Sequence, residues 1–67
     1  MGHITYDNLW DTMKKQGVTK YALINKHHLS PSLITRLKRN QAINTNTICT
    51  LCDILDCRIE DILTYKR

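Results

Sequence analysis

The sequence predicts an all-α domain, and three observations carry that expectation. Two glycines, one proline and a single valine among 67 residues are too few for a turn-rich sandwich or barrel. Apolar residues recur every three or four positions through most of the chain. Helix start and stop signals punctuate those stretches at short intervals. Leu, Ile and Val supply 17 of the residues, enough for a small core, so the chain reads as one domain over 1–67 with an ordered core at about 5–64.

Five short helices follow in order. Thr5 is the expected cap of a first helix whose apolar positions are Tyr6, Leu9, Trp10 and Met13. Gly17 ends it, because glycine enters the left-handed region without steric cost, and Val18 can then fold back onto the last turn. Thr19 caps a second helix holding Ala22, Leu23 and Ile24, which stops near His27-His28. Ser30-Pro31 is a cap followed by proline at the first helical position, so a third helix runs from about Pro31 to Arg39, with Asn40 as its left-handed stop. A fourth begins at Asn44 or Thr45 and sets Ile48, Leu51, Cys52 and Leu55 on one face. The last short helix carries Ile59, Ile62 and Leu63.

The link between the second and third helices is too short for antiparallel neighbours and suits the steep angle of a helix-turn-helix. Leu23, Leu29, Ile34 and Leu37 are placed to meet inside that angle. Opposite Ile34 and Leu37, the third helix sets Ser32, Thr35, Arg36 and Arg39 on one stripe, at i, i+3, i+4 and i+7. Short hydroxyls let that end sink into a groove, and the guanidinium groups reach base edges or phosphates. Leu33 is left between core beneath the fourth helix and the rim of the stripe.

The net charge of +4 is unevenly spread. No acid occurs between Thr12 and Cys52, whereas Lys14, Lys15, Lys20, Lys26, Arg36, Lys38 and Arg39 all fall there. Such a field attracts a polyanion, although a charge run can also be no more than a solvated face. Cys49, Cys52 and Cys57 are odd in number and clustered, as expected of reduced thiols rather than a secreted disulfide framework. Cys49 and Cys52 resemble half a zinc site, but no second pair occurs at suitable spacing. Cys52 and Cys57 therefore read as core, with no metal and no cofactor. His27-His28 reads as a partly exposed helix end rather than a pH sensor or a pair of phosphate contacts. Trp10 and Tyr6 follow core periodicity rather than forming a stacking platform for single strands. No Gly-rich phosphate loop, paired carboxylates or oriented nucleophile is present, so an enzyme is not expected. Neither a membrane-spanning run nor a signal peptide is evident, so a cytoplasmic protein is expected.

Two runs, Val18-Thr19-Lys20-Tyr21-Ala22-Leu23 and Leu29-Ser30-Pro31-Ser32-Leu33-Ile34-Thr35-Arg36-Leu37, resemble the Cro/repressor-type helix-turn-helix family, also called lambda-repressor-like or XRE-type. Ile48 to Cys57 and Ile59 to Leu63 extend the resemblance over about Tyr6–Leu63. It implies a compact five-helix fold, the second and third helices forming the helix-turn-helix, that binds double-stranded DNA and regulates transcription, usually as a repressor of bacterial or phage type. Base-reading positions fall on Pro31, Ser32, Thr35 and Arg36. Phosphate-binding positions fall on Lys20, Asn44 and Thr45, and the charge pattern adds Lys38 and Arg39. Lys20 stands where the family often has Gln, Ile24 where a small residue is frequent, and His28 where the turn commonly has Gly. The resemblance also places a homodimer surface at Ile59, Ile62, Leu63 and Tyr65, although these residues could equally close the monomer core and leave only Tyr65 outside. The other function compatible with the fold is a protein-interaction module, an antitoxin or an inhibitor of a host factor. No small-molecule effector is evident.

Overall fold

A computed structural model describes residues 1–67. The helices are α1 (Asp7–Gln16), α2 (Lys20–Asn25), α3 (Pro31–Lys38) and α4 (Thr45–Leu55). Four helices stand where five were expected, because Ile59–Asp61 makes only a single 3-10 turn. The domain is mostly helical, as expected of the all-α helix-turn-helix class, and its ends add one short antiparallel pair, β1 (His3–Thr5) and β2 (Thr64–Lys66). The register sets His3 opposite Lys66, Ile4 opposite Tyr65 and Thr5 opposite Thr64. Regular structure therefore starts before residue 5 and continues past residue 64. No helix is long and apolar enough to cross a membrane.

Local chemistry explains most helix ends. Thr19 Oγ1 accepts from Ala22 N–H at 3.0 Å, and Ser30 Oγ from Leu33 N–H at 3.2 Å, so both hydroxyls satisfy a first-turn donor. Asn44 does the same for α4, its Oδ1 accepting from Asn46 N–H at 2.7 Å. Gly17, at φ 70°, ends α1 with Val18 N–H donating to Met13 O at 2.9 Å, the paired-bond stop that favours a left-handed residue. Asn40, at φ 54°, ends α3 in the same way: Gln41 N–H donates to Arg36 O and Asn40 N–H to Leu37 O. One cap differs from expectation. Thr5 does not cap α1, because its backbone is committed to the strand pair; Tyr6 takes the capping position without a side-chain bond.

The core is a cluster of Tyr6, Leu9, Met13, Leu23, Ile34, Leu37, Leu51, Leu55 and Ile62. It draws on every helix and on the end of the 3-10 turn. That turn docks against α1 through polar bonds at its rim. Asn8 Nδ2 donates to Glu60 O at 3.0 Å and to Thr64 Oγ1 at 2.7 Å, and Thr12 Oγ1 donates to Asp61 O at 2.8 Å. Cys52 and Cys57 are half-buried against the core, whereas Cys49 is exposed. Burial, with the adjacent Cys52 thiol contributing, pushes the Cys57 thiol up to about 11.

The buried Thr5 hydroxyl has no hydrogen-bond partner. An unsatisfied buried hydroxyl costs about 1–3 kcal/mol, and valine has nearly the same shape and suits a strand. Thr5→Val is therefore expected to stabilise the domain by about 1 kcal/mol, raising Tm by roughly 4–8 °C. Thermal unfolding followed by circular dichroism reads this directly, and an unchanged or lower Tm would show that the hydroxyl is satisfied.

Candidate nucleic-acid interface

His27-His28-Leu29 turns the chain between α2 and α3. His28 sits at φ 59°, a left-handed conformation in which a residue other than glycine is strained. Leu29 N–H donates to Leu23 O at 3.0 Å, and His27 N–H to Ala22 O at 3.2 Å, so the strained turn is fastened to α2 on both sides. The turn aims Leu23, Ile34 and Leu37 into the core, with Leu29 packed against it. The other side of α3 is thereby directed outward.

Ser32, Thr35, Arg36 and Arg39 are all exposed, and no part of α4 or of the 3-10 turn covers them. Pro31 is exposed at the head of the same helix. Arg36 and Lys38 occupy its last turn, where the helix dipole favours positive charge. Thr35 Oγ1 donates to Pro31 O at 3.2 Å. Its proton is thus held by the helix, leaving acceptor lone pairs and a methyl group to face outward.

A groove of about 430 Å³ runs between α3 and the start of α4. Ser32 and Arg36 line it from one side and Asn44 from the other. Leu33, half-buried, forms part of its floor with Leu29 and Ile43, so it lies between core and rim. Asn46 and Thr47 also line the groove and were not singled out by the sequence, and His28 lines it too, although the sequence favours a helix end over a phosphate contact there. Asn46 and Thr47 could have been found from their place in the first turn of α4, directly after the Asn44 cap.

Lys20 and Lys38, distant in sequence, lie side by side. Partial desolvation, and then the neighbouring Lys38 ammonium, lower the Lys20 pKa from its ordinary value. Lys20 Nζ also stands 4.9 Å from the centre of the Trp10 ring, whose face attracts a cation. Trp10 is half-buried, packing one part against the core while meeting Lys20. With no acid between Thr12 and Cys52, these neighbouring ammonium groups make this edge of the domain positive. Asn44 and Thr45 are both exposed at the start of α4, and of the two only Asn44 lines the groove.

The four dimer-surface candidates separate. Ile62 is fully buried in the monomer core, so it contributes nothing to an outer surface, and Leu63 is half-buried against the same core. Ile59 and Tyr65 are exposed. Tyr65 pairs across the sheet with the exposed Ile4, and its ring lies over Gly2, where a Cβ would collide with it.

A short strained turn, a helix seated by its apolar side and an uncovered basic stripe together define a helix-turn-helix domain. The chain belongs to the Cro/C1-type HTH DNA-binding domain family, whose model matches residues 8–67. The fold is similar to the crystal structure of transcriptional regulator VanUg, Form II, at 22% identity and a TM-score of 0.87 over 97% of this chain and 87% of that one. A comparison with curated protein sequences finds no match.

Proposed function

We propose that this protein is a sequence-specific, double-stranded DNA-binding transcriptional regulator that inserts α3 into the major groove. The observation that carries the reading is the acid-free stripe of Ser32, Thr35, Arg36 and Arg39, left open to solvent by a turn that costs backbone strain. Pro31, Ser32, Thr35 and Arg36 read base edges. Arg36 offers a guanidinium fork to guanine O6 and N7, and Thr35 offers an acceptor to a base amino group or its methyl to thymine. Lys20, Lys38 and Arg39 hold phosphates as charges, and Asn44 and Thr45 hold them from the first turn of α4. Asn44 Oδ1 is occupied by the cap, so its amide nitrogen is the atom free to donate. A domain occupying the groove and its flanking strands blocks other proteins from that stretch, which makes repression the simplest outcome.

Two copies would read two half-sites about 34 Å apart. Ile59, Tyr65 and the exposed part of Leu63 form the surface for such a homodimer, with Ile4 alongside Tyr65.

Titration of labelled duplexes against salt tests the reading. Three cationic anchors per chain imply that log K falls against log salt with a slope of about −3 for each chain bound. A site selected from a randomised duplex pool should converge on a palindrome and bind two chains per duplex. One chain per duplex would remove the dimer. Failure to bind any duplex at low salt would remove DNA recognition altogether and favour a protein-interaction module.

A further inference from the structure

The groove depends on how the loop from Asn40 to Asn44 holds α3 against α4, and that loop is fastened from the opposite end of the sequence. Tyr6 N–H donates to Asn40 Oδ1 at 3.0 Å, and Tyr6 Oη donates to Gln41 O at 2.8 Å. Tyr6 is 3% exposed and sits in the core between β1 and α1, so it is a fixed post. Burial raises its phenol pKa above the ordinary value, which keeps the hydroxyl protonated as the donor this bond requires. Asn40 and Gln41 are at the same time the two residues that end α3, through their bonds to Leu37 O and Arg36 O. The carbonyl of Arg36, a base-reading residue, is thus one bond away from the residue held by Tyr6.

We propose that Tyr6 and Asn40 are positioning residues for DNA recognition, setting the spacing between α3 and the first turn of α4. Both act through the loop that joins the base-reading helix to the phosphate-holding residues Asn44 and Thr45. The asparagine serves two purposes: it tolerates the left-handed φ of 54° and supplies the acceptor for Tyr6. Glycine would serve only the first, and phenylalanine at position 6 would keep the ring and lose only the hydroxyl.

Tyr6→Phe and Asn40→Gly test this in the full chain, because each removes one clamp bond and keeps the local shape. The inference rests on the DNA-binding reading, so the first measurement needs no DNA. Amide hydrogen exchange should speed up at Asn40 and Gln41, whose N–H groups donate to Leu37 O and Arg36 O, in both variants. Unchanged exchange there would overturn the clamp itself, whatever the ligand. The second measurement compares affinity for the selected duplex with that for random duplex. Affinity for the selected site should fall roughly two- to tenfold, the range one net hydrogen bond supplies. Random-duplex affinity and the salt slope should stay the same, since no phosphate anchor is removed. A lower Tm with an unchanged ratio of selected to random binding would make the bonds structural only and overturn the positioning role. A wild-type chain that binds no duplex, yet shows faster exchange in the variants, would retain the clamp and remove the DNA reading.

Discussion

Arg36→Ala should lower affinity for the selected duplex by about 1–3 kcal/mol and relax preference at one base pair. The side chain is exposed on the uncovered face of α3, and its removal leaves the core intact, so stability should move by no more than about 0.5 kcal/mol. That separation makes the result interpretable: a binding loss without an unfolding loss belongs to the interface. Competition between the selected duplex and variants changed at each position identifies the base pair. Arg36→Lys should not restore it, because an ammonium keeps the charge but lacks the planar fork. Equal losses on selected and random DNA would reduce Arg36 to a phosphate contact.

Leu37→Ala should produce the largest loss of stability, about 2–5 kcal/mol. Leu37 is on the opposite side of α3, is fully buried, and belongs to the cluster that includes Leu23, Leu51 and Ile62. A domain of this length has a total stability of about 3–10 kcal/mol, so the change removes a large share of it. Urea unfolding should show a midpoint shifted far to lower concentration, with DNA binding lost in parallel. A midpoint within experimental error of the wild type would mean that α3 is not seated by this residue. The two substitutions, one residue apart on the same helix, therefore separate its reading face from its packing face.

The parts of the fold that were legible in the sequence are those fixed by near neighbours. Thr19, Ser30 and Asn44 cap the next turn, and Gly17 and Asn40 stop the previous one, so each signal and its effect lie within a few positions. The stripe on α3 was legible because helical spacing alone sorts Ile34 and Leu37 from Ser32, Thr35, Arg36 and Arg39. The strands were not. His3-Ile4-Thr5 and Thr64-Tyr65-Lys66 are too short to show alternation, and each exists only because the other end of the chain is beside it. This also accounts for Thr5, which has a capping side chain but a backbone drawn into the sheet. Ile59 to Leu63 holds apolar residues at helical spacing, yet tethering to Asn8 and Thr12 accompanies only one tight turn there. The tie from Tyr6 to Gln41 was hidden for a different reason: its acceptor is a main-chain carbonyl, and any residue type supplies one.

Joining Thr5 to Thr64 closes a ring from almost the entire polypeptide. The entropy lost in closing so long a ring grows only slowly with length, about 0.6 kcal/mol for each doubling, but it is repaid there by three residue pairs. Helical segments form from contacts between close neighbours and assemble sooner. The two tails are thus the last pieces to zip together on folding and the first to fray, while the four rods beneath them remain assembled.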